Sequence, residues 1–333
     1  MNDLLKIMLH VMRALARLIF LFCLAASLCS AQSSDAVVHG KGEFLNLLGH
    51  KIWYESSGQG GPLLLIPGAG GAHDYFHPFF APVGRSFRVI YFDGFGRGNS
   101  EHAKSPAEYT FEHDIDEIEA MRQALHLGRI MVYGHSYGGF VAQAYALKYP
   151  HSVGKVIVSN IFLSGEDFQV SNDHFNDQLK AYFPELWAQI VQLRARGFVS
   201  SSPELQQVTG PYFLPTLLEM FYFYDPQNAK AILPFWNEHN FSAEQWNAVA
   251  GPDADFKIGG DLGKLDFRPR LSSIKVPIMI VASRHDGIVL PSLTLQFKKY
   301  APQAKFVMFE HSGHYPFIEE SALFINTLED FLK

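Results

Sequence analysis

The pentapeptide Gly134-His135-Ser136-Tyr137-Gly138 limits the possible folds of this chain more than any other feature. It has the pattern G-x-S-x-G. An apolar run at 129–133 leads into it, and a helical pattern at 138–149 leads out. A serine held between a strand and a helix sits on a sharp turn. The flanking glycines let the two backbones approach closely. The turn lifts the hydroxyl of Ser136 above the sheet, where the helix N-terminus favours negative charge. Other G-x-S-x-G matches arise by chance, but the strand–turn–helix context marks Ser136 as a nucleophile.

The surrounding chain supports that context. Apolar runs at 37–47, 51–55, 63–66, 87–92, 129–133, 155–158, 277–282 and 305–309 read as strands. Helical patterns at 111–127, 138–149 and 323–332 fall between or after them. In the first of these, Ile115, Ile118, Met121 and Leu125 share a face. Near-continuous apolar strands alternating with helices predict a mostly parallel sheet covered on both faces. Residues 161–256 break the alternation with helix and loop. They carry Trp187, Trp236, Trp246 and the run Phe221-Tyr222-Phe223-Tyr224. The expected organisation is a core of 32–160 and 257–333 with a helical lid at 161–256. Most of the lid's aromatics are expected to build its own core and a few to face a pocket.

A serine hydroxyl needs a base to take its proton. On sheets with this kind of turn, an acid and then a histidine follow the serine in chain order. Asp286 lies in Ser283-Arg284-His285-Asp286-Gly287, after the strand at 277–282. His314 lies in Glu310-His311-Ser312-Gly313-His314, after the strand at 305–309. Ser136, Asp286 and His314 are therefore the expected catalytic residues. His311 is the rival base, and Glu166 and Asp167 are rival acids. His135 and His285 are assigned supporting roles. An oxyanion needs hydrogen-bond donors. These are expected from the backbone N–H of Tyr137 and from that of Ala69 in Pro67-Gly68-Ala69-Gly70-Gly71. The stretch 93–100, Asp93-Gly94-Phe95-Gly96-Arg97-Gly98-Asn99-Ser100, lacks the G-x-G-x-x-G spacing and reads as a structural turn beside the site.

Composition excludes several alternatives. At 48% apolar the chain buries a large core, which rules out intrinsic disorder. The formal charge is −6 without a Lys/Arg block, which argues against a nucleic-acid partner. The histidines show no metal-ligand spacing, and no cofactor is expected. Near the N-terminus, Lys6, Arg13 and Arg17 precede an uncharged apolar run of 11 residues, 18–28. Small residues at Cys29 and Ala31 follow. This is the layout of a signal peptide cleaved after Ala31, which makes the protein exported, either periplasmic or secreted. Both cysteines, Cys23 and Cys29, lie within that segment. The mature chain would then have no disulfide and no membrane attachment. Losing three cations against one acid would take its charge from −6 to −8. The expected partner is a small-molecule or short-peptide substrate, with the oligomeric state left open.

The whole mature chain resembles a lidded α/β-hydrolase. More narrowly it resembles the proline iminopeptidase group of serine aminopeptidases. The matching stretches are 92–100, 134–150, 251–256 (Gly251-Pro252-Asp253-Ala254-Asp255-Phe256), 276–287 and 311–317. The triad motifs carry fold and mechanism, and 251–256 carries the narrower likeness. The resemblance implies acyl transfer and a substrate amine held by acidic side chains, with Asp255 as the substrate-binding residue. Two departures stand out. His-Gly-Gly-Pro-Gly of the group is replaced here by Pro67-Gly68-Ala69-Gly70-Gly71. A second acid, typically found just after the catalytic Asp, is replaced by Gly287. The alternative is therefore a carboxylesterase or lactonase acting on small apolar esters.

Overall fold

The computed structural model describes residues 41–235 and 239–333. The proposed signal peptide and Trp236 lie outside the described residues. An eight-stranded sheet runs in the order β1-β2-β4-β3-β5-β6-β7-β8. Its strands are β1 (Glu43–Leu47), β2 (His50–Ser57), β3 (Pro62–Ile66), β4 (Arg88–Asp93), β5 (Ile130–His135), β6 (Val153–Ser159), β7 (Ile278–Ser283) and β8 (Lys305–Phe309). Pairing is antiparallel for β1–β2 and β2–β4 and parallel from β4 through β8. The sheet is thus the mostly parallel one expected, with a hairpin at one edge.

Alternate residues of the buried strands point to opposite faces. Leu64, Ile66, Val132, Val158 and Ile280 pack on one face with Ile115, Ile118 and Met121 of α1 (Phe111–Ala124) and Phe140 of α2 (Tyr137–Lys148). Leu63, Leu65, Tyr133, Ile157 and Val281 pack on the other with Phe76, Phe80 and the C-terminal helix Ser321–Leu332. Two buried layers explain why these strands read as unbroken apolar runs. Thr110 starts α1 by accepting a hydrogen bond from the His113 N–H, and Leu125 follows its last turn.

Between β6 and β7 the chain forms helices Gly165–Tyr182, Pro184–Ala195, Pro203–Tyr212, Leu218–Tyr222 and Ala243–Ala250, with shorter turns among them. Leu179, Leu186, Ile190, Leu205, Leu217 and Phe221 form a separate apolar cluster there. At its base, Ser164 and Asp266 form an isolated antiparallel bridge, flanked by Gly165 N–H to Leu265 O and Phe267 N–H to Leu163 O. The insertion is therefore stitched together beyond Phe256. No helix of the described residues is long and apolar enough to cross a membrane.

Candidate active site

The turn at Ser136 has the tightness that the pentapeptide demands. Ser136 holds φ 52° and ψ −127°, a conformation unfavourable for a residue with a side chain. A Cβ at Gly134 would sit 2.0 Å from the carbonyl oxygen of Gly138. One at Gly138 would sit 2.1 Å from that of Ile66. Neither position has room for a side chain, so strand, helix and the loop after β3 meet backbone to backbone. The Ser136 N–H donates to Ser159 O at 2.9 Å, which anchors the turn to the end of β6.

Tyr137 is the first residue of α2, so its N–H has no carbonyl four residues back within the helix. The contact of Gly138 with Ile66 and Pro67 brings the turn at 67–71 alongside that helix start. Gly71 N–H closes the turn on Gly68 O at 3.0 Å, and Ala69 is partly exposed. The Tyr137 hydroxyl donates to Asp114, whose Oδ2 also accepts Arg97 Nη2 at 2.6 Å and Gln245 Nε2 at 3.2 Å. Arg97 from the 93–100 turn thus braces the helix start, which agrees with reading that turn as structural. A cavity of about 20 Å³ between this network and Gly68 has room for water rather than a substrate. Glu117 lines it, and burial followed by the charge of Asp114 pushes its carboxyl up to about 8.

The expected acid and base lie in the loops after β7 and β8. Asp286 and His314 are both buried, and His314 Nδ1 lies 2.9 Å from Asp286 Oδ2. A carboxylate only accepts, so Nδ1 carries the proton and Nε2 of the neutral ring carries the lone pair. Asp286 Oδ1 accepts the N–H groups of Ile288 (2.9 Å) and Val289 (2.8 Å). His135 also supports this pair. Burial and then the neighbouring His314 hold its pKa well below the usual histidine range, so its ring is neutral. Its Nε2–H donates to His314 O at 2.7 Å, and Nδ1 accepts the Tyr75 hydroxyl at 2.7 Å. The rivals lie elsewhere. His311 is exposed with its ring 5.7 Å from Tyr224, Glu166 pairs with Arg268, and Asp167 accepts from Gln296. His285 donates its N–H to Ser312 O.

The insertion is bonded into both halves of this site. Tyr222 O accepts the His314 N–H at 2.7 Å, and Phe221 O accepts the Gly287 N–H at 3.0 Å. On the other side, Ser242 N–H donates to Gly70 O at 2.9 Å, and Ala72 N–H donates to Asn240 O at 3.2 Å. The Tyr222 ring stands edge-on to His314 with centroids 5.5 Å apart. A Cβ at Gly287 would lie 2.8 Å from Phe221 O. The place where the resembled group has its second acid is therefore filled by the insertion's backbone.

Asp255 is exposed to solvent, yet protein crowds around its carboxyl. That burial, with the nearby charge of Asp253, pushes it up to about 6 against the opposing pull of Arg194. Its own backbone is held by Asn176 Nδ2, which donates to Asp255 O at 2.9 Å. Arg194 is committed to Asp253 through two hydrogen bonds, 2.6 and 2.9 Å. Burial and the charges of Tyr315, Asp255 and Asp286 raise the Tyr222 hydroxyl well above its usual range. Tyr222 thus senses both Asp255 and the acid–base pair.

Sequence reasoning did not find Asn160, whose Nδ2 donates to Asp286 Oδ2 at 2.9 Å. It also missed the Phe221 and Tyr222 carbonyls. Among the described residues, no group of three or more His, Cys, Asp or Glu side chains could hold a metal ion.

This sheet order and this serine turn coincide with a match to the alpha/beta hydrolase fold over residues 61–321. The chain belongs to that family. Among curated relatives, a proline iminopeptidase of Saccharolobus solfataricus is 27% identical over 80% of this chain and 82% of its own. One from Heyndrickxia coagulans is 26% identical over 87% of this chain and 98% of its own. A solved proline iminopeptidase from Mycobacterium smegmatis superposes with a TM-score of 0.67 at 23% identity, covering 88% of this chain and 97% of that one. The protein is an α/β-hydrolase enzyme that resembles proline iminopeptidases.

Proposed function

We propose that the protein is a serine hydrolase of proline iminopeptidase-like specificity, which removes an N-terminal residue from small amides or short peptides. The observation that carries the mechanism is the buried hydrogen bond from His314 Nδ1 to Asp286. It leaves Nε2 as a base in a site that also contains the strained Ser136 turn. His314 takes the Ser136 proton as Oγ attacks the substrate carbonyl. Asp286 holds the tautomer and stabilises the imidazolium that forms. The N–H groups of Ala69 and Tyr137 receive the developing oxyanion. His314 returns the proton to the leaving amine, and water then cleaves the acyl-enzyme by the same steps.

Asp255 supplies the specificity. The residue is exposed while protein crowds around its carboxyl, and its charge reaches the Tyr222 hydroxyl, as that of Asp286 does. A substrate ammonium paired with it would sit within the same cleft. The insertion at 161–256 is the lid over that cleft. The 1–31 layout supports export, and the 32–333 chain is the form to test.

A second reading rests on Gly287. With Phe221 O against it, no second acid shares the load of an ammonium, and a neutral ester needs none. Purified 32–333 and its Ser136→Ala variant would be compared on prolyl and alanyl anilides and on acetyl and butyryl phenyl esters. Ser136-dependent anilide turnover that disappears when the amine is blocked is the expected result. Ester turnover alone would overturn the aminopeptidase reading in favour of an esterase.

A further inference from the structure

Asn160 follows β6 directly and is 1% exposed. It holds φ 50°, in the left-handed region that short polar residues tolerate better than most. Its N–H donates to Val281 O at 3.0 Å, which fixes it between two parallel strands. Its side chain is committed at both ends. Oδ1 accepts from Ser159 Oγ at 2.8 Å, and Nδ2 donates to Ser283 Oγ at 3.0 Å and to Asp286 Oδ2 at 2.9 Å. Because the carboxylate can only accept, the amide nitrogen must be the atom facing it.

Asp286 Oδ2 is therefore shared between Asn160 and His314, while Oδ1 takes two backbone N–H groups. Ser159, the residue before Asn160, accepts the Ser136 N–H through its carbonyl. Two consecutive residues thus hold the serine turn with one hand and the carboxylate with the other.

We infer that Asn160 is a positioning residue for the acid–base pair, an inference that rests on the serine-hydrolase reading above. The carboxylate turns about its Cβ–Cγ bond, and its two oxygens can exchange roles. Two amides on Oδ1 and one on Oδ2 leave a single direction open, and that direction is His314 Nδ1. The Asn160 amide also draws off part of the Oδ2 charge without neutralising it. Removing it leaves a buried carboxylate short of a donor and concentrates its charge on His314. The charge favours the imidazolium and so raises the pH at which His314 becomes a base. A lysine or arginine there would cancel the charge on which the imidazolium depends.

Two variants that tolerate a positive φ test this. Asn160→Gly removes the donor at every pH. Asn160→Asp keeps the shape but donates only while its new carboxyl is protonated. Both would be checked for folding by thermal melting and then profiled against pH with the anilides and esters above. For Asn160→Gly, kcat is expected to fall about tenfold or more with KM little changed, and the rising limb of kcat/KM to move to higher pH. For Asn160→Asp, the ratio of its kcat/KM to wild type should be highest at acid pH and decline as the new carboxyl ionises against Asp286. Folded variants with wild-type kcat and an unmoved limb would overturn the inference. A constant loss for Asn160→Asp across the pH range would also overturn it, because a merely structural role gives that result. Ser136 labelling by a fluorophosphonate separates the two levels. Wild-type protein that neither labels at Ser136 nor shows Ser136-dependent turnover would overturn the serine-hydrolase reading itself.

Discussion

The two halves of the site are built differently. The serine half is compact: Gly134, Ser136 and Gly138 lie within five residues and close on each other and on the 66–67 backbone. The acid–base half is long-range. Asp286 and His314 depend on Asn160 just after β6, on His135 beside the serine, and on the Phe221 and Tyr222 carbonyls of the insertion. The first half therefore forms once β3, β5, β6 and α2 are assembled. The second forms only when the insertion is seated. Damage to the insertion should disable the base while leaving the serine turn intact.

The serine half is most sensitive at Gly138. Replacing it with alanine puts a Cβ 2.1 Å from backbone that cannot move away. The expected cost is about 4 kcal/mol or more, read as loss of a cooperative thermal transition. Next is Asp286→Asn, which preserves shape but favours the wrong His314 tautomer. A fall in kcat of about 10⁴ is expected with the fold intact by circular dichroism. A drop of less than tenfold would remove Asp286 from the mechanism.

Gly287→Asp strikes the acid–base half, because it installs the missing acid where the insertion already sits. Its Cβ would meet Phe221 O at 2.8 Å, so the contact must open. A 10–100-fold loss of kcat on all substrates is expected, with a lowered melting temperature and no gain for free-amine substrates. Tighter binding of those substrates by a fully stable variant would show that the position is open to an acid after all.

Asp255→Asn has the smallest effect and touches neither half. KM for free-amine substrates should rise about tenfold, as for loss of a charge-assisted contact, while ester kinetics stay within about twofold. Because burial raises the carboxyl to about 6, the wild-type advantage should fade as pH drops through that value. Stability should move the other way. A carboxyl whose folded pKa is raised opposes folding increasingly as pH climbs from its unfolded value through about 6. The variant should therefore melt higher than wild type at pH 8 and equally at pH 3. Equal KM values for both proteins would refute the amine-binding role.

The fold was legible because its signals are local. β8 lies at the residues its apolar pattern marks, and β2 to β7 differ by a residue or two at their ends, where pairing rather than propensity decides; the run at 37–47 begins outside the described residues, and β1 starts at Glu43. Only the edge hairpin of β1 and β2 lies outside the parallel pattern. The serine turn was legible for the same reason. Asp286 and His314 were marked by chain order after their strands. Asn160 was not, because it is one polar residue after an apolar run and its partner lies 126 positions away. The Phe221 and Tyr222 carbonyls left no trace either, since every residue has a carbonyl. Gly287 read as a missing acid. In the structure it is a place where backbone passes backbone.

That last feature bears on how enzymes of this kind can diversify. Phe221 and Tyr222 hold the acid–base loops through their main-chain carbonyls, while the Tyr222 ring stands edge-on to His314. Almost any amino acid at those positions would offer the same carbonyls, so these two hydrogen bonds place no demand on which side chain stands there. The insertion can therefore change its side chains, and its substrate preferences with them, while these two anchors to the chemistry beneath persist.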